Sequence, residues 1–133
     1  HHETLIKSGE CMDILKTLCE IIMEIMDVEG QTITAETYLV RELGAESIDL
    51  LELSVSINHH FHIAVKDEDI FLRKFRLFMI EAERRGEAPA DYLGARFPFL
   101  SAERIGEILA DLEAGPALKI KDLVSYIAFR SKG

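Results

Sequence analysis

Ser47 is the residue in this chain that most directly raises a question of chemistry. It stands in the stretch ELGAESIDLLEL, residues 42–53, behind a glycine, with an acid before it and an apolar, acidic run after it. A serine nucleophile needs a base within hydrogen-bond reach and donors for the developing oxyanion. The local text GAESI lacks the second glycine of a G-x-S-x-G elbow. The histidines sit about 20 Å of helical rise away. The chemistry therefore argues against a hydrolytic serine. Two readings remain from residue type alone. Serine is a favourable helix N-cap, and a helix start also stabilises an anion such as a phosphate ester through its free N–H groups and dipole.

The other candidate ligands cluster at the far end of the same segment, in NHHFH, residues 58–62. His59 and His62 are three apart and can share a helix face with each other. A structural zinc site wants four ligands, and no cysteine or acid is placed locally to complete one, so no metal is expected. His59, His60 and His62 read as solvated helix-end side chains, or as a retuning of this end for a partner less basic than usual. Elsewhere, Arg84, Arg85 and Glu103 fall at surface-like helical positions. They form no catalytic constellation, and an enzyme is not expected.

These residues must be positioned by a chain of 133 residues, which fits one domain. Hydrophobic content is 48%, with no long uncharged run, so a sizeable core is expected and stable membrane insertion is not. The opening His-His reads as a tag remnant, with residues 1–9 expected to be disordered and 10–133 to form the single domain. No signal peptide is visible. Cys11 and Cys19, eight apart in one predicted helix, are separated by about 12 Å of rise. A disulfide needs Cα atoms within about 7 Å, so both read as free core or boundary residues in a reducing, cytoplasmic compartment. Net charge is −9, which disfavours nucleic acid and suits basic patches on proteins. Residues 70–116 hold seven basic and eight acidic residues, against eight and sixteen in the rest. An acidic frame thus surrounds a nearly neutral middle.

Helical periodicity dominates, and the fold class is all-α. The spacing predicts a first helix over about 10–28, with Ile14, Leu15, Leu18, Ile22, Ile25 and Met26 as its stripe and Gly30 as its end. A loop follows, with polar Thr32, Thr34 and Thr37, pinned by Ile33, Tyr38, Leu39 and Leu43. The second helix runs from Ser47 to about Phe61. Ile48, Leu51, Val55 and Phe61 are candidates for its buried side, with Leu50, Leu53 and Ile57 adding breadth. Residues 70–85 read as a helix striped by Phe71, Phe75, Phe78, Met79 and Ala82 and closed by Gly86. Residues 87–100 read as irregular around Pro89 and Pro98. Ser101 caps a further helix carrying Ile105, Ile108, Leu109 and Leu112. After the stop at 114–116, a last helix spans about 119–130.

With these elements in place, LGAESIDLLEL resembles the L-G-A-D-S-L-D-x-x-E-L modification motif of the acyl carrier protein family. FHIAVKDEDI is similar to that family's extended stretch after the second helix, and LKIKDLVSYI to its last helix. The resemblance covers nearly everything outside about 71–116, and it leans toward acyl rather than peptidyl carriers. It implies a helical bundle in which Ser47 bears 4′-phosphopantetheine, delivered from coenzyme A by a phosphopantetheinyl transferase. It further implies an acyl chain held as a thioester and shown to biosynthetic enzymes of fatty acid, lipid or polyketide type. Glu46, Ile48, Asp49 and Glu52 match the face that meets their basic patches. The family's aspartate before the serine is Glu46 here, one methylene longer. Residues 71–116 stand as an insertion in place of a short third helix, with five of the seven phenylalanines. Three sinks could take those rings: packing on the frame, an enlarged or lidded acyl pocket, or a dedicated partner. An acidic helical interaction module without a prosthetic group is the alternative function.

Overall fold

The computed structural model describes residues 8–28 and 33–132. Among them, seven α-helices and a short 3-10 turn account for the regular structure, so the all-α expectation holds. Helix α1 covers Ser8–Met26 and α2 covers Ser47–Phe61. The very short α3 is Asp67–Ile70, followed by α4 (Phe75–Arg85), α5 (Pro89–Arg96) and α6 (Ala102–Asp111). The 3-10 turn Leu112–Ala114 leads to α7, Ile120–Lys132. Residues 1–7 of the expected tag remnant and disordered start, and Gly30 and Thr32 of the expected first turn and loop, lie outside the described residues. Ser8 and Gly9, expected to be disordered, already belong to α1.

Helices α1, α2, α3 and α7 make a frame around one core. Leu18 and Ile22 of α1 meet Ile57 of α2 and Ile120, Leu123 and Ile127 of α7, all essentially inaccessible to solvent. Ile33 and Leu39 pin the α1–α2 loop into this core. The loop is also tied to the start of α7: Leu39 N–H donates to Leu118 O (3.1 Å) and Ile120 N–H to Thr37 O (3.0 Å). Thr37 Oγ accepts from Thr34 N–H at 2.9 Å, which supplies the polar turn its acceptor. Cys11 and Cys19 are free and half-buried in α1. Burial, and then the charge of Glu20, raises the pKa of the Cys19 thiol and makes it a poor nucleophile.

Glu36 clamps the same loop to α7 through Lys119 (2.8 Å) and Lys121 (3.0 Å). Hydrogen bonds from Lys119 and then Lys121 hold its carboxyl down to about 2, from 4.5. A depressed carboxylate pKa adds stability that is present above the unfolded value and lost as pH falls through the folded one. Thermal melts of the wild type and Glu36→Gln should therefore differ near neutral pH and converge as pH falls from about 4.5 toward 2. The side chain is 62% exposed, so the gap should be small and should shrink further in high salt.

The middle segment departs from its expected form in two places. The helix expected over 70–85 is broken: α3 stops at Ile70, a turn with Leu72 at φ 53° intervenes, and α4 starts at Phe75. In one continuous helix Phe71 and Phe75, four apart, would share a face. The break lets Phe71 enter the frame core and Phe75 a second core. The stretch 87–100, expected to be irregular, contains α5. Pro89 occupies its first position, where no N–H is needed and the fixed φ suits a helix. Gly86 does close α4, at φ 70°, with Glu87 N–H reaching Ala82 O. Ser101 Oγ accepts from Arg104 N–H at 3.0 Å, as expected of a cap.

The second core is Phe75, Leu93, Phe97, Leu100, Ile105 and Ile108, closed by Ala117. Phe75 and Phe97 stack with centroids 5.6 Å apart. Phe97 meets Phe99 edge-on, and Phe99 meets Tyr126 of α7 in the same way. Each buried ring contributes about 1.5–3 kcal/mol. The phenylalanines of the insertion thus pack largely within the chain. Two polar ties fasten this lobe to the frame. Arg104, in α6, pairs with buried Asp122 of α7 through two 2.8 Å bonds. Arg41 stacks on the Tyr38 ring and pairs with Asp111, which also accepts from the Tyr38 hydroxyl.

Candidate functional site

Helix α2 begins where the chain turns out of the loop. Gly44 takes φ 73°, a left-handed conformation that favours glycine, and its N–H donates to Val40 O at 2.9 Å. Ala45 is buried, which fixes the approach, and Glu46 is extended at φ −106°, ψ 174°. Glu46 is therefore the N-cap and Ser47 the first residue of the helix. The capping role weighed for Ser47 falls to its neighbour. The reason is local: Glu46 N–H donates to Asp49 Oδ2 at 2.9 Å, and Leu50 N–H returns to Glu46 O. Ser47 is free of that duty and exposed to solvent. By helix geometry the N–H groups of Ser47 and Ile48 have no preceding carbonyl to meet.

The face around Ser47 is both acidic and apolar. Glu46 and Glu52 are exposed, and Asp49 is half-buried through its bond to the cap. Ile48, Leu51 and Val55 are 60%, 54% and 62% exposed. This corrects the expectation that these three line the buried side. That side is Leu50, Leu53, Ser54 and Ile57, with Phe61 half-buried. Both sides of α2 are apolar, and the core contributed by α1 and the loop selects one of them. Leu51 and Val55 thereby join the candidate site, although helical periodicity alone puts them on the buried side. The signal that could have found them is their spacing: with Ile48 they stand at i, i+3 and i+7.

The histidines stand apart from Ser47. His59 and His60 are exposed at the other end of α2, their rings edge to face at 5.4 Å. His62 ends the helix in the left-handed region at φ 56°, its N–H donating to Asn58 O. Among the described residues no cluster of three or more potential metal ligands forms.

A helix start with exposed serine at its first position and unpaired N–H groups behind it is a fit attachment point for a phosphate ester. The family described as a phosphopantetheine attachment site matches residues 16–73, which hold the second part of α1, the loop, α2 and α3. The acyl carrier protein of a Cylindrotheca species is 34% identical over 55 residues, covering 41% of this chain and 69% of that protein. Those of Wolinella succinogenes and Nitratidesulfovibrio vulgaris are 31% and 33% identical over 58 residues, or 44% of this chain and 76% of each relative. No solved structure matches the chain. The chain belongs to the acyl carrier protein family, whose prosthetic group is 4′-phosphopantetheine. The matched region ends at the turn before α4, so the lobe of α4–α6 lies outside it.

Proposed function

We propose that Ser47 bears the 4′-phosphopantetheine and that the chain carries an acyl group, without catalysing any step itself, between enzymes of fatty acid, lipid or polyketide type. The observation that carries this reading is the exposure of Ser47 at the first residue of α2, inside the matched region. When bound, the arm supplies a terminal thiol that holds an acyl group as a thioester. The chain's own residues do the rest. Ala45 and Gly44 aim the helix start outward, and the free N–H groups of the first turn favour the anionic ester. Glu46, Asp49 and Glu52 oppose a phosphate by charge, so their value lies elsewhere: they suit a basic surface on the transferase and on the enzymes that load and use the acyl chain. The residues from 8 to 132 act as one domain, with 71–116 as a lobe of it. Among the described residues no helix is long and apolar enough to cross a membrane.

Incubation with coenzyme A and a broad-specificity phosphopantetheinyl transferase tests the reading directly. Intact mass should rise by one phosphopantetheine. An unchanged mass on folded wild-type protein would leave the acidic interaction module as the function. The docking face has its own test. Leu51→Ser and Val55→Ser remove exposed apolar area beside the acids and should weaken affinity for a basic partner such as the transferase. The expected loss is about tenfold, or 1.4 kcal/mol, for the pair. The thermal midpoint should stay nearly constant, because neither side chain is buried. Titration calorimetry on the double variant decides the matter.

A further inference from the structure

The frame has almost no free space at the place where a chain tethered to Ser47 would first look for it. Between α1 and α2, beside Ala45 and Leu53, the gap is about 10 Å³, room for about one water molecule. Leu50 is the partition. Its other side lines a cavity of about 350 Å³, within the range of about 300–1,000 Å³ common for small-molecule sites. Val40 and Leu118 wall this cavity from the frame, and Phe75, Ile108 and Leu112 from the lobe. Leu50 follows Ser47 by three residues, about 4.5 Å of helical rise, so an arm anchored at Ser47 starts beside the cavity wall.

The cavity is held in shape from both sides. Arg76 Nη2 donates to Leu112 O at 2.8 Å, tying α4 to the 3-10 turn. Arg41 Nη2 donates to Gly115 O at 2.9 Å, tying the loop to the returning chain. The lining is mainly apolar, which suits hydrocarbon, and the exposed Arg73 and Arg76 contribute the cationic part. Much of the wall comes from residues beyond 73, outside the region matched by the family. The capacity of this cavity is therefore a property of this chain and its lobe.

We infer that the cavity between frame and lobe receives the distal part of the acyl chain tethered at Ser47, and that Leu112 sets the chain length it accepts. This rests on Ser47 bearing the arm. Leu112 is half-buried at the cavity wall, where a larger side chain fills the space and a smaller one extends it. The full chain, carrying the arm, is loaded with butyryl, octanoyl, dodecanoyl and hexadecanoyl groups in turn. Cleavage of each thioester by hydroxylamine is then timed, with folding checked by circular dichroism.

In the wild type, cleavage should slow by about tenfold from butyryl to dodecanoyl as the chain is sheltered. Leu112→Trp should bring dodecanoyl back to within about twofold of butyryl, while Leu112→Ala should carry protection on to hexadecanoyl. Ile80→Ser, on the exposed side of α4, should leave the series unchanged. If the tryptophan variant does not fold, the alanine variant decides alone. A mass increase at Ser47 with the same length profile in wild type and folded Leu112 variants overturns the inference and spares the carrier function. An equal change in Ile80→Ser overturns it too. Failure of the mass increase removes the carrier function, and this inference with it.

Discussion

Ser47→Ala is expected to abolish covalent modification by coenzyme A and a transferase while leaving the fold untouched. The mass readout is all or none, because in the proposed function the Ser47 hydroxyl takes the ester. The stability readout is equally informative. Were Ser47 the N-cap, its loss would cost about 1 kcal/mol. Glu46 holds that position, and its N–H is satisfied by Asp49, so Ser47→Ala should cost about 0.5 kcal/mol or less, as for an ordinary surface change. Asp49→Ala should do the reverse. It leaves the hydroxyl in place but strips the cap of its acceptor, at about 0.5–1.5 kcal/mol. Intact mass and urea denaturation on the same two variants separate chemistry from capping. Modification that survives Ser47→Ala would show that another residue is the acceptor.

The largest expected loss of stability lies outside α2, at Asp122 of α7. Its carboxylate is 1% exposed and accepts from Arg104 Nε and Nη2 and from Lys119 N–H, all at 2.8–2.9 Å. Arg104 Nη2 also donates to Ala117 O at 2.8 Å. Asp122→Ala leaves Arg104 Nε and the Lys119 N–H without acceptors, and the buried guanidinium with exposed Glu107, at 3.2 Å, as its remaining charged partner. Removing one member of a buried pair costs about 3–5 kcal/mol, a large part of the 5–15 kcal/mol that typically holds a domain. Replacing both members, as Arg104→Met with Asp122→Leu, should recover most of the loss, since an apolar pair needs no partner. Recovery should stay incomplete by about 1 kcal/mol because Lys119 N–H still lacks its acceptor. Denaturant midpoints of the two single variants and the double variant test this. A single-variant loss below about 1 kcal/mol would show that solvent reaches the pair.

Much of this architecture is legible in the residues because the signals are local. The extent of α2, the cap at Ser101 and the stop at Gly86 follow from side-chain and backbone preferences within a few positions. So does the exposed start of α2 behind Gly44. Other features needed distant information. The hidden face of α2 could not be chosen from a helix apolar on both sides; Leu18, Ile22 and Leu39 choose it by offering a core to Leu53 and Ile57. Pro89 reads equally as a breaker and as a first helical residue, and only the packing of Leu93 beneath it decides. The break before Phe75 exists because two cores compete for adjacent aromatics, which no single-helix pattern contains. Arg104 and Asp122 are eighteen residues apart and look like ordinary surface charges until α6 is laid against α7.

The pairing of Arg104 with Asp122 also bears on whether the lobe can be exchanged. Phe71 and Ala117, at its two junctions with the frame, line the same cavity, so excising everything between them and splicing the ends would be topologically simple. It would not be chemically simple. The last helix would keep a carboxylate whose counter-ion had been cut away with the lobe. A trimmed carrier made from this chain would hold Asp122 through the Lys119 N–H alone. Conversely, the lobe transplanted onto another carrier would bring a guanidinium held by exposed Glu107 alone unless an acid were installed in place of Asp122. Lobe and last helix therefore form a single unit of transfer.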